Sequence, residues 1–204
     1  MYREILNLIP TDQPFKILEC GIGYGIWAFA LRMWSKKELE IHGIDMYEPY
    51  IEKQRKLPLY DDIKYANATD LPYNDKSFDI VIAPELIEHL TRSEGHKFIE
   101  EINRVSSYMC ILTTPKGYYK IENPADDNDK MNHRSGWEES DFLEKGFTVK
   151  VVDKTNLRRR SLKFFDNIRR ILFRLGERPK GLIAYKIKPQ HSIPTLQDKE
   201  ATTT

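Results

Sequence analysis

The sequence predicts an α/β chain in which strands and helices alternate into an open, mostly parallel sheet, and three stretches carry that prediction. Lys16 to Gly25 reads KILECGIGYG, an apolar run, an acid and then three glycines at alternate positions. This is the signature of a buried strand turning abruptly into a helix. Leu39 to Asp45, LEIHGID, repeats the strand signal and again ends in an acid. SFDIVIA, ending at Ala83, is a further apolar run of strand length.

The elements follow in order. Residues 2–9 form a short amphipathic lead-in helix with Ile5, Leu6 and Ile9 on one side, stopped by Pro10. The first strand ends near Leu18, and Gly21, Gly23 and Gly25 supply the positive φ angles and bare backbone that so tight a turn beside a ligand requires. Ile26 to Trp34 carries Trp27, Ala28, Ala30, Leu31 and Trp34 at helical spacing, a core-facing stripe. Strand Leu39–Asp45 places the Asp45 carboxylate about twenty residues past the glycines, where an acid accepts hydrogen bonds from the ribose hydroxyls of a nucleoside. A helical piece over Pro49–Lys56 leads to a third strand, Ile63–Ala66, and the fourth ends at Ala83. Ser93–Val105 reads as a helix with Phe98, Ile99, Ile102 and Val105 inward, and Tyr108–Thr113 as the fifth strand, broken by Pro115, Lys116 and Gly117. Residues 118–133 are polar and long for a connection, the mark of a substrate loop. HRSGWEESDFLEKGF is a capped helix, with Ser135 or Ser140 as cap, before strand Thr148–Asp153. A last strand covers Leu182–Lys188, and residues 189–204 have the composition of a disordered tail.

At 204 residues the chain is one domain with room for a full core. Lys plus Arg number 32 against 31 for Asp plus Glu, so global charge points to no polyanionic partner. Two cysteines, Cys20 and Cys110, make neither a disulfide framework nor a zinc site. The absence of a long apolar run and of a cationic leader predicts a cytoplasmic protein.

The glycine spacing separates two ligand classes. A dinucleotide fingerprint, G-x-G-x-x-G, would need glycine or alanine where Ile26 stands. The E-x-G-x-G-x-G pattern instead resembles the first motif of class I S-adenosylmethionine-dependent methyltransferases, and ANATDLPYNDKSFDIVIA resembles the block around their third and fourth strands. Over about residues 15–153 the chain is similar to the broad type 11-like group of that family. The resemblance implies a Rossmann-like, seven-stranded, mostly parallel sheet with helices on both faces and the last strand antiparallel, spanning residues 1–188. It implies S-adenosyl-L-methionine as cofactor, with Glu19 at the polar end of the pocket, Gly21, Gly23 and Gly25 under the methionine part, Asp45 on the ribose, Asn67 and Ala68 near the adenine, and Pro84 bordering the reactive end. Asn67 stands where many relatives have an acid.

After the fourth strand come Glu85, Glu88 and His89, which one helical turn would gather on a single face. Groups of this kind share general-base work or ligate a metal. E-x-x-E-H also resembles the segment that holds a divalent ion in ubiquinone-pathway O-methyltransferases and small-RNA ribose methyltransferases. In the latter a further histidine follows the fifth strand, and His133 occupies a comparable place. The expected reaction is methyl transfer to oxygen, with His89 or His133 as proton acceptor oriented by Glu85 or Glu88. A divalent metal is an open option to which no residue is assigned.

Residues 154–180 are the distinctive insertion. They carry ten Lys or Arg, with the apolar residues of a helical wheel on one arc and basic ones on the other. Three readings stay open: a cover for the protein's own cleft, contact with an anionic membrane surface through residues 158–176, or a polyanion site. The expected acceptor is a small or lipid-linked molecule, on a cytoplasmic enzyme that is peripheral at the membrane if the second reading holds. An RNA ribose methyltransferase with a Glu/Glu/His/His metal site and a non-catalytic cofactor-binding regulator or scaffold are the alternatives.

Overall fold

The computed structural model describes residues 2–118, 131–152 and 180–189. Within them, seven strands form one sheet in the order β3-β2-β1-β4-β5-β7-β6. The strands are β1 Lys16–Cys20, β2 Glu40–Asp45, β3 Asp62–Tyr65, β4 Phe78–Pro84, β5 Ser106–Pro115, β6 Thr148–Val152 and β7 Gly181–Ile187. The first five run parallel, and β7 lies antiparallel between β5 and β6. This is the seven-stranded, doubly covered sheet that the motifs implied.

Alternation along each strand decides what each face buries. Leu18, Val81, Ala83, Cys110, Leu112 and Leu182 point into one layer, against Phe98, Ile99, Ile102 and Val105 of α4 (Arg92–Val105) and Phe142 of α5 (Glu139–Leu143). Ile17, Ile80, Ile82, Met109, Ile111 and Ile183 point into the other, against Ile5 of α1 (Tyr2–Leu6) and Trp27, Ala28 and Leu31 of α2 (Ile26–Trp34). Each such side chain, fully buried, contributes about 1.5–3 kcal/mol. A small satellite of Ile22, Ile51 and Ile63 packs under α3 (Glu48–Gln54).

Several boundaries differ from the sequence reading. Helix α4 starts at Arg92, because Thr91, two residues ahead of Ser93, forms a reciprocal capping box with Glu94. The cap of α5 is Glu138, boxed with Asp141, rather than Ser135 or Ser140. Ser135 instead donates its hydroxyl to the Ile87 carbonyl and accepts from the Trp137 indole. Ser106 and Ser107 belong to β5, and buried Ser106 pairs with Phe78. The lead-in helix ends at Leu6, although Ile9 is still buried with it.

The register brings Pro115, Gly181 and Val152 side by side at the rim where the parallel strands end. Of the basic stretch 154–180, Lys180 alone lies within the described residues, and so does Pro189 alone of the tail. No described helix is long and apolar enough to cross a membrane.

Candidate active site

The glycine turn is held from three sides. Gly21, Gly23 and Gly25 have φ angles of 78°, 45° and 71°, all left-handed. A Cβ on Gly25 would lie 2.4 Å from Gln54 Oε1, whereas one on Gly23 would meet nothing within 4 Å. Gly25 is thus required by both packing and backbone, Gly23 by backbone alone, and the space over Gly23 is open to a ligand. The Gly23 amide donates to Asp45 Oδ2 at 3.1 Å, and the Tyr47 amide to Oδ1 at 2.9 Å. Gln54 Nε2 donates to the Gly23 carbonyl at 3.2 Å. The strand-end acid therefore shapes the turn.

Glu19 is buried, and Tyr60 donates its phenol to Oε2 at 2.9 Å. Tyr60 gets there because its neighbour on β2 is Gly43, where a Cβ would sit 3.0 Å from the Tyr60 ring. Burial pushes the Glu19 carboxyl up to about 8, against the opposing pull of the Tyr60 hydrogen bond. Asn67 is exposed, its Oδ1 accepting from the amide and hydroxyl of Thr69 on the same loop. Ala68 beside it is buried, and Pro84 is the last residue of β4.

The acid and histidine cluster departs from the single helical face anticipated for it. Ile87–His89 is one 3-10 turn, and Glu85 precedes it in a left-handed conformation, φ 51°. Such backbone costs a residue with a side chain of order 1–3 kcal/mol and persists only where its surroundings enforce it. β5 does so here: the Glu85 amide donates to the Thr113 carbonyl at 2.9 Å, and the Thr113 hydroxyl donates to Glu85 Oε1 at 2.9 Å.

Glu88 is 2 % exposed, and its carbonyl accepts from the amides of Arg134 and Ser135, at 2.7 and 3.1 Å. That clamp brings in His133, whose ring meets His89 edge to face with centroids 5.1 Å apart. Glu88, His89 and His133 each offer one ligand atom, all within 4.8 Å of one another. Burial, with His133 second, pushes the His89 imidazole down to about 4, so it is neutral at physiological pH. Thr113, Tyr60 and Gln54 escaped the sequence reading, since each acts through a contact at least 28 residues away in the chain.

The glycine turn tied to a strand-end acid and the polar cluster after β4 both lie at the carboxyl ends of parallel strands, where the order of the sheet reverses between β1 and β4, the place at which open α/β sheets bind their ligands. Residues 17–107, a little under half of the chain, match a family model described as a methyltransferase domain. The chain is 29% identical over 93 residues to 27-O-demethylrifamycin SV methyltransferase of Amycolatopsis mediterranei, covering 43% of this chain and 34% of that protein. It is also 29% identical over 104 residues to ajmaline N-methyltransferase of Rauvolfia serpentina, covering 48% and 34%. The chain thus spans about a third of the length of these curated relatives. Among solved structures it is similar to phosphoethanolamine N-methyltransferase 2 of Haemonchus contortus in complex with S-adenosyl-L-methionine, with a TM-score of 0.62 and 15% identity, over 93% of this chain and 52% of that one.

Proposed function

We propose that this protein transfers the methyl group of S-adenosyl-L-methionine to a hydroxyl oxygen of a small or lipid-linked acceptor. The observation that carries the reading is the Gly23–Asp45 hydrogen bond, which fuses the open glycine turn and the strand-end carboxylate into one cradle. Nothing in that cradle is a phosphate-binding device of the dinucleotide type, since Ile26 occupies the third-glycine position.

Bound there, the sulfonium supplies an electrophilic methyl with a good leaving group: the new C–O bond forms as the C–S bond breaks, giving S-adenosylhomocysteine. The chain's task is then alignment and proton removal. Asp45 orients the nucleoside end, Gly21, Gly23 and Gly25 underlie the methionine part, and Asn67 and Ala68 border the adenine. Glu19 lies behind the methionine part, and Pro84 and Glu85 bring the reactive end to the cluster. The acceptor's hydroxyl proton is taken up within the group Glu85, Glu88, His89 and His133.

The ten cations of residues 154–180, a stretch that lies in sequence between β6 and β7, support an anionic or amphiphilic acceptor and an enzyme peripheral at a membrane. Calorimetric titration with S-adenosylmethionine, S-adenosylhomocysteine and NADH tests the assignment. The two adenosyl ligands should bind saturably in the wild type and not in Asp45→Ala, and NADH in neither. No adenosyl binding at millimolar ligand would end the reading.

A further inference from the structure

We propose that Gln54 is a positioning residue for the cofactor: through it α3 latches the glycine turn in its ligand-receiving shape, and affinity for the adenosyl ligand depends on this buried side-chain amide. The identity of the ligand rests on the methyl-transfer reading. The latch itself stands on geometry.

Four successive residues of the turn are each held by α3. Ile51 packs against Ile22. Gln54 Nε2 donates to the Gly23 carbonyl at 3.2 Å. The Tyr50 ring meets the Tyr24 ring with centroids 5.0 Å apart, and the Lys53 ammonium lies over the same Tyr24 ring at 5.1 Å. Gln54 Oε1 then rests against Gly25, in space that a Cβ there would take. Positions 50, 51, 53 and 54 are neighbours on one side of a helix, so a single short element grips the whole turn. Ile51 and Gln54 are wholly buried in doing so.

Within that grip the Gln54 amide has a specific task. Gly23 is the turn residue with open space above it, and glycine is the residue whose flanking peptide units turn over most readily. Both of its polar groups are tied: the amide donates to Asp45 Oδ2 and the carbonyl accepts from Gln54 Nε2. A carbonyl only accepts, so the nitrogen of the Gln54 amide must face it, and the oxygen is turned toward Gly25. There Oε1 is buried without a hydrogen-bond partner among the described residues. A buried orphan acceptor is unfavourable, and an apolar side chain of the same length would fill the space without one. What the amide adds at this place is the donor on Gly23.

The test compares the full chain with Gln54→Met, which keeps length and bulk but has no donor, and Gln54→Glu, whose neutral carboxyl donates as the amide does. S-adenosylhomocysteine is titrated by calorimetry, and thermal melting controls for folding. Gln54→Met should melt with the wild type yet bind about tenfold more weakly. Gln54→Glu should bind within about threefold of the wild type at pH 6, where burial keeps its carboxyl neutral, and lose ground as pH rises and the donor ionises. Hydrogen exchange without ligand gives a second reading: the amides of Gly23 and Gly25 should exchange faster in Gln54→Met, and that of Leu18 at the wild-type rate. Binding by Gln54→Met within about twofold of the wild type overturns the proposal. So does Gln54→Glu as weak as Gln54→Met at pH 6, or turn amides that exchange alike. In that case adenosyl binding by the wild type leaves the methyl-transfer reading standing. A wild type that binds no adenosyl ligand ends that reading instead, and the exchange rates alone decide the latch.

Discussion

Thr113 and Glu85 hold each other three ways: the Glu85 amide donates to the Thr113 carbonyl at 2.9 Å and to its hydroxyl oxygen at 3.2 Å, and the Thr113 hydroxyl donates to Glu85 Oε1 at 2.9 Å. The pair sits in register across β4 and β5, where Pro84 faces Thr113. On the proposed function, Thr113 is a positioning residue for the Glu85 carboxylate. Thr113→Val is therefore expected to lower kcat about tenfold, the equivalent of roughly 1.4 kcal/mol, with KM for the cofactor unchanged. Thr113→Ser should restore most of it. Steady-state kinetics on all three proteins checks the split. A KM effect, or no rescue by serine, would assign Thr113 to packing alone.

Asp45 accepts two amides of the segments it joins. Asp45→Ala removes those bonds and, on the proposed function, the acceptor for the ribose hydroxyls. Since hydrogen bonds to a charged group are worth about 1.5–3 kcal/mol each, affinity for S-adenosylhomocysteine should fall by at least about a hundredfold. Calorimetry reads it, and Asp45→Asn, which keeps an acceptor oxygen, should fall between the two.

Gly25 combines φ 71° with a Cβ position 2.4 Å from Gln54 Oε1. Gly25→Ala should destabilise the fold by of order 1–3 kcal/mol. Gly23→Ala carries only the backbone part of that cost, having no neighbour within 4 Å. Urea unfolding of the two variants should rank them in that order.

Glu19 sets a pH dependence. Its carboxyl is raised from an ordinary 4.5 to about 8 by burial, so between those values the folded chain holds a proton that the unfolded chain has released. Stability contributed at this site is complete below about 4.5 and declines as pH rises through about 8. Glu19→Gln, which cannot ionise, should flatten this decline, and the variant should gain on the wild type between pH 7 and pH 9. Melting temperatures across pH 5–9 check it; parallel curves for the two proteins would show that Glu19 is ionised in the fold.

The strands were legible because burial on two faces leaves continuous apolar runs, as in IVIA before Pro84, and the glycine turn because few other residues tolerate its φ angles. Asp45 was legible from its spacing. The polar partners were not. Tyr60 reaches Glu19 through space that Gly43 leaves empty on the adjacent strand, and a glycine within a strand does not say which ring it admits. Thr113 meets Glu85 because of the β4–β5 register, which no local pattern encodes. The spacing of Glu85, Glu88 and His89 predicted a shared helical face, but Glu85 takes a left-handed conformation before the turn begins, and the face was drawn one residue too wide.

The tie between the 3-10 turn and the segment carrying His133 is made chiefly by main-chain amides, those of Arg134 and Ser135 on the Glu88 carbonyl. Amides are present whatever side chains the sequence supplies. Arg134 itself is exposed, and its replacement leaves that stitch in place. The place of His133 is therefore set by the path of the main chain, and the side chains of its loop can be exchanged without moving it.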